Sequence, residues 1–146
     1  MRRSISHLLG PHAQPPAGDE LTTLHGLLRG HLHLLIPEVE QAALNRDRED
    51  VPRYVALACV DQARTTLRTA PCDGGYGALV QARRLARRLA ALCDHYETLT
   101  GVAMCLACDQ PLHNEDSLPY DHVSPSGPAI RVGRIHTHCT HRYRRH

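Results

Sequence analysis

Cysteine and histidine recur near the end of this sequence at the spacing of metal ligands. Cys105-Leu-Ala-Cys108 is a C-x2-C pair, and His136-Thr-His-Cys139 supplies an H-x2-C pair after 27 intervening residues. Two donors two residues apart can grip one ion from a tight turn, and a second pair completes a tetrahedron. A single C-x2-C also serves redox chemistry, so it is the second pair that points to metal. The expectation is a structural Zn2+ site made by Cys105, Cys108, His136 and Cys139. Four protein donors close such a site, whereas a catalytic zinc keeps one position open. His138 and His141 compete with His136 for the fourth place, and His113 is a more distant rival. His136 is preferred because it lies in the turn leading into Cys139, with its ring free to swing toward the ion.

Residues 102–146 contain three of the six Cys and six of the twelve His, with few apolar residues to build a core. Metal-binding free energy is then mostly folding free energy for this segment. Chelation is expected to unfold residues 102–146 and largely spare what precedes them. Cys59 and Cys93 fall on apolar helical faces and read as packed thiols, and Cys72 falls in a loop.

Catalysis has one candidate. Tyr120-Asp121-His122-Val123-Ser124-Pro125 resembles the D-H-[IV]-x-P segment of HNH endonucleases, in which a zinc-held module presents a histidine base. That resemblance implies His122 as the base and Asp121 as a metal ligand or its orienter. It covers about 40 residues and departs from the family pattern. No Asn follows at the middle position, Cys139-Thr-His141 replaces the second C-x2-C, and no final Asn or His is placed. The parts that hold the nuclease ion are thereby missing, so no catalytic residue is assigned.

Composition sets the other bounds. All seventeen basic residues are Arg, the formal charge is +2, and the aromatic residues are five Tyr with no Phe or Trp. So small a net charge does not by itself argue for nucleic acid. Arg83, Arg84, Arg87 and Arg88 do spread over about 140° of one helix face. With Arg142, Arg144 and Arg145 they are candidate phosphate contacts. No aromatic platform accompanies them for stacking bases. No apolar run is long enough to span a bilayer, and no apolar stretch follows Arg2 and Arg3 as a signal peptide requires. The expected compartment is the cytoplasm, where thiols stay reduced and six Cys imply ligation or burial.

The elements that must position the ligands follow from periodicity. Residues 1–18, rich in Pro, Gly and His, read as a disordered tail. Leu21, Leu24, Leu28, Leu32, Leu35 and Val39 mark a helix from Asp19 to about Asn45, with Asp19 as N-cap and Pro37 expected to kink or break it near Ile36. Asp50 caps a second helix that carries Pro52 in its first turn and runs to about Thr69, with Val55, Cys59, Ala63 and Leu67 in an i, i+4 row. Leu79, Ala82, Leu85, Leu89, Leu92, Tyr96 and Leu99 mark a third, from about Tyr76 to Thr100, stopped by Gly101. Two extended runs, Leu118–Val123 and Ala129–Ile135, flank a turn-rich tip at Ser124–Pro128 and make a hairpin. The fold class expected is mainly α: a three-helix antiparallel bundle over 19–101, followed by a zinc-stabilised β-hairpin module of treble-clef or zinc-ribbon type over 102–146.

Three stretches of the helical part carry a family resemblance. They are Leu28-Arg-Gly-His-Leu-His-Leu-Leu-Ile-Pro-Glu-Val-Glu40, Val51-Pro-Arg-Tyr-Val-Ala-Leu-Ala-Cys-Val60 and Leu85-Ala-Arg-Arg-Leu-Ala-Ala-Leu-Cys-Asp-His-Tyr-Glu97. Over residues 20–100 they resemble an actinobacterial, Streptomyces-type family of unknown function labelled "natural product biosynthesis protein". The resemblance implies a small helical protein and carries over no catalytic residue. The function expected is that of a non-enzymatic accessory or regulatory zinc-binding protein, acting on an unknown protein partner or a second copy of itself. A nucleic-acid-binding protein using the Arg face, and a degenerate HNH-like nuclease, are the rivals.

Overall fold

Helix is favoured along most of this chain because apolar residues recur every three or four positions and Pro and Gly gather between the periodic segments. The computed structural model describes residues 1–10, 13–16, 18–70, 74–112, 117–123 and 130–140, with backbone alone at 121–123 and 130–132. Helices α1 (Arg2–Leu9), α2 (Gly18–Leu44), α3 (Val51–Arg68) and α4 (Gly74–Thr100) come first. Strands β1 (Ser117–Val123) and β2 (Ile130–His136) follow, then a 3-10 turn at Thr137–Cys139.

The three expected helices form one core, in which α2 and α4 pack on each other and on α3. Leu28, Leu32, Val39, Val60, Leu85, Leu89 and Leu92 are its fully enclosed side chains. Ala43, Ala56, Ala63, Ala82 and Ala86 are equally buried, and their small side chains let the backbones approach in place of aromatic filler. Gln81 is a buried polar exception. Its amide donates to the carbonyls of Thr66 and Thr69 at 2.9 and 3.0 Å, satisfying acceptors that the end of α3 leaves open. Gly101, at φ +70, is the left-handed residue that ends α4.

Three details of the helical part differ from expectation. Among the described residues the helix count is four, because Arg2–Leu9 of the expected disordered tail is α1, with Ile5 and Leu8 buried, packed mainly on α4. Of the kink or break expected near Ile36, the break does not occur: α2 runs through Pro37 and continues to Leu44. Burial of Leu35, Ile36 and Val39 on either side outweighs the one hydrogen bond that Pro removes. The helix begins at Gly18, so Asp19 lies in the first turn rather than at the cap.

In the C-terminal module, β1 and β2 pair antiparallel, with Ser117 opposite His136 and Val123 opposite Ile130. Both strands lie within a residue of their expected limits, as a small two-stranded sheet. The expected tip, 124–128, lies outside the described residues, as does 129. Arg134 locks the base of the pair, donating through Nε to Ser117 Oγ at 2.8 Å. A second, smaller loop precedes the strands. Met104 bridges Pro111, the Cys105 N–H donates to the Gln110 carbonyl at 2.9 Å, and the Leu106 N–H reaches the Arg134 carbonyl on β2 at 3.1 Å. That last bond brings the C-x2-C turn onto the end of the hairpin.

Candidate metal centre

The C-x2-C loop turns back on itself because Asp109 takes a left-handed backbone conformation, φ 57, and donates its N–H to the Cys105 carbonyl at 3.0 Å. Asp is one of the few residues other than Gly that adopts this conformation readily. The turn points Cys105 and Cys108 to one side. His136 arrives from the last position of β2, and Cys139 from the 3-10 turn that follows. The donor atoms of Cys105, Cys108, His136 and Cys139 all lie within 4.8 Å of one another, close enough to bind a metal ion. With metal–sulfur bonds of about 2.3 Å a tetrahedron has edges of about 3.8 Å, so contraction by about an ångström closes the shell.

The histidine is already oriented for this. Its Nε2 lies 3.2 Å from the Pro111 carbonyl oxygen, which can only accept, so Nε2 carries the proton. Nδ1 is left with its lone pair directed into the cluster, 3.4 Å from Cys108 Sγ. A second partner fixing the tautomer in this way is the ordinary support of a metal-bound imidazole. His138 is stacked on the His136 ring, with centroids 4.9 Å apart, and is not one of the clustered donors. His113 and His141 lie outside the described residues.

The thiols are tuned in opposite directions. Burial raises Cys105, but backbone N–H groups of His136, Ala107 and Cys108 aimed at its sulfur outweigh burial and lower the thiol to about 7. The His136 N–H is 3.4 Å from that sulfur. Burial raises Cys139 to about 11, reinforced by hydrogen bonds to Cys108 and Cys105 and by the charge of Cys105. Three thiols crowded together cannot all ionise without a cation between them, and a bound divalent ion deprotonates a thiol outright. Leu106 and Ile135 cover the sulfurs, with Leu112 and Tyr120 packed beside them.

The other sequence candidates do not gather into a second centre among the described residues. Cys59 is buried in the bundle core and Cys93 packs against it, and burial raises both thiols. Cys72, Arg142, Arg144 and Arg145 lie outside the described residues. The backbones of Asp121 and His122 stand on β1 opposite Val132 and Arg131. On α4, Arg84 and Arg87 are exposed, while Arg83 and Arg88 are half-buried and Arg88 donates to Gln62 at 2.6 Å.

Two groups beside the centre escaped sequence reasoning. Pro111 contributes only a backbone carbonyl, which leaves no trace in residue type. Asp109 carries a weak signal, an Asp directly after C-x2-C, where a left-handed residue is needed. Its carboxylate contacts Arg2 on α1, and Arg2 also pairs with Glu97 on α4.

A family described as "Family of unknown function (DUF6415)" matches residues 1–101, and the chain belongs to it. The match includes α1 and ends at Gly101, just before the metal module. No curated protein and no solved structure matches the chain.

Proposed function

We propose that this member of the DUF6415 family is a non-enzymatic accessory or regulatory protein that works through protein–protein contacts, with structural zinc holding its C-terminal module. The observation that carries this reading is the closed donor set. Three cysteine sulfurs and one imidazole, the latter already bonded to Pro111 through its other nitrogen, fill a four-coordinate shell and leave no position for substrate. A tetrahedral, sulfur-rich site favours zinc over harder ions.

The contact surface has support on the bundle. Val51, Tyr54 and Val55 share one face of α3 and are each at least half exposed, with Leu44 similarly exposed at the end of α2. Exposed apolar residues on one face are the usual mark of a protein contact. A partner in specialised metabolism is part of this proposal, for which the only support is the resemblance of the helical part to a family labelled "natural product biosynthesis protein", and a reducing, cytoplasmic setting is proposed with it. No helix among the described residues is long and apolar enough to cross a membrane.

A photo-crosslinker at Tyr54, used in the cells of origin, tests the reading. A discrete adduct that disappears when Val51→Asp and Val55→Asp are combined supports it, provided the helical circular dichroism is unchanged. Sedimentation equilibrium then separates a second copy of the chain from a foreign partner. No adduct, together with magnesium-dependent plasmid nicking that is lost in His122→Ala, would replace it with the nuclease. The exposure of Arg84 and Arg87 supports nucleic-acid binding as a second reading. A salt-sensitive gel shift abolished by Arg84→Glu with Arg88→Glu would establish that one.

A further inference from the structure

Helix α1 has little reason to form by itself. It has eight residues, below the roughly 12–15 that an isolated helix needs. Its first turn contains Arg2 and Arg3 and no acid, the wrong sign for the positive end of the dipole, and no side chain of its own caps it. The cap comes from the metal module instead. Asp109 Oδ2 accepts the backbone N–H of Arg2 at 3.1 Å and the amino group of Met1 at 3.0 Å. Asp109 Oδ1 lies 3.6 Å from Arg2 Nε, and the same guanidinium bonds Glu97 on α4. Asp109 therefore does what an N-cap residue does, across 107 positions of sequence.

That carboxylate is aimed by the C-x2-C turn. Asp109 follows Cys108, holds φ 57, and is bonded through its N–H to Cys105. An ion that draws Cys105 and Cys108 onto one centre fixes the turn, and the turn fixes the cap. On the far side of the contact, Ile5 and Leu8 are 4% and 3% exposed against the bundle.

We propose that metal occupancy at Cys105, Cys108, His136 and Cys139 controls the docking of α1. With the ion bound, Asp109 meets Arg2, α1 folds, and the α4 face beneath Ile5 and Leu8 is covered. Without it the turn loosens, α1 detaches, and an apolar face of the bundle opens. The loss of metal thus reaches beyond residues 102–146 to the opposite end of the chain. The inference rests on the metal reading above.

Hydrogen–deuterium exchange on the full chain, with metal content read by native mass spectrometry, tests it. The expected protein carries one metal and protects the amides of Ile5 to Gly10. Chelation speeds exchange there by about tenfold or more while 82–92 of α4 stay protected. Asp109→Gly keeps the left-handed turn and the metal but removes the carboxylate, and it speeds exchange of α1 to a similar degree. Metal lost on chelation with α1 exchange unchanged overturns the coupling and leaves the metal reading intact. A metal-loaded Asp109→Gly chain with α1 fully protected does the same. Loss of α4 protection in that variant also overturns the latch, making Asp109 a general determinant of the fold. A chain that binds no metal overturns both readings.

Discussion

His136 donates from Nε2 to the carbonyl of Pro111 across 3.2 Å, and this single bond decides which nitrogen faces the cysteines. It also separates His136 from His138, which has equal chemistry but only a stacking contact with the His136 ring. The expected consequence is an asymmetry between the two. His136→Ala should weaken metal affinity by well over 100-fold, since losing a ligand exceeds the roughly 10–100-fold effect of losing its supporting partner. His138→Ala should leave affinity within a few-fold. Competition against a chromophoric chelator measures both, and equal losses would make His138 the ligand or its equal.

A second prediction concerns Gln81. Its buried amide donates to two carbonyls at the end of α3. Gln81→Ala should destabilise the bundle by about 1–3 kcal/mol, read as a lower urea midpoint at unchanged slope. A change confined to a few tenths would mean that water replaces the amide freely.

The pH dependence of the bundle should carry the mark of Cys93. Burial pushes its thiol up to about 11, with Arg2 opposing and Asp109, Asp94 and Glu97 reinforcing. A thiol raised in the folded state holds its proton while the unfolded chain loses it. Its contribution is therefore fully present below the unfolded value near 8.5 and is lost as pH rises toward 11. Comparing the wild type with Cys93→Ala cancels the other groups. The wild type should lose on the order of 2 kcal/mol more between pH 8 and 11. A difference independent of pH would contradict the burial of the thiol.

Much of this was legible in sequence. The apolar rows of α2 and α4 announce themselves because each helix buries one face, whereas in α3 Cys59, Ala63 and Leu67 of the expected row are buried and Val55 is half exposed; the clustered cysteines announce themselves because a shared ion would fix their spacing. Helix α1 was not legible. Ile5 and Leu8 are too few to stand out among Gly, Pro and His, and the charge that makes the helix possible, Asp109, lies in another module. The break expected at Pro37 is absent for a related reason: propensity is local, and the burial of Ile36 and Val39 is not. The choice among several histidines stays open in sequence because a backbone carbonyl is what orients His136. The pattern of residue types thus exposes what depends on spacing, and hides what depends on two distant segments meeting.

The proposed closed Cys3His zinc centre is open to a direct test, X-ray absorption at the zinc edge of the purified chain. One zinc per chain is expected, with three sulfur scatterers at about 2.3 Å and one imidazole nitrogen at about 2.0 Å. A chain without bound metal, or a shell containing water oxygen in place of one of these donors, would contradict it.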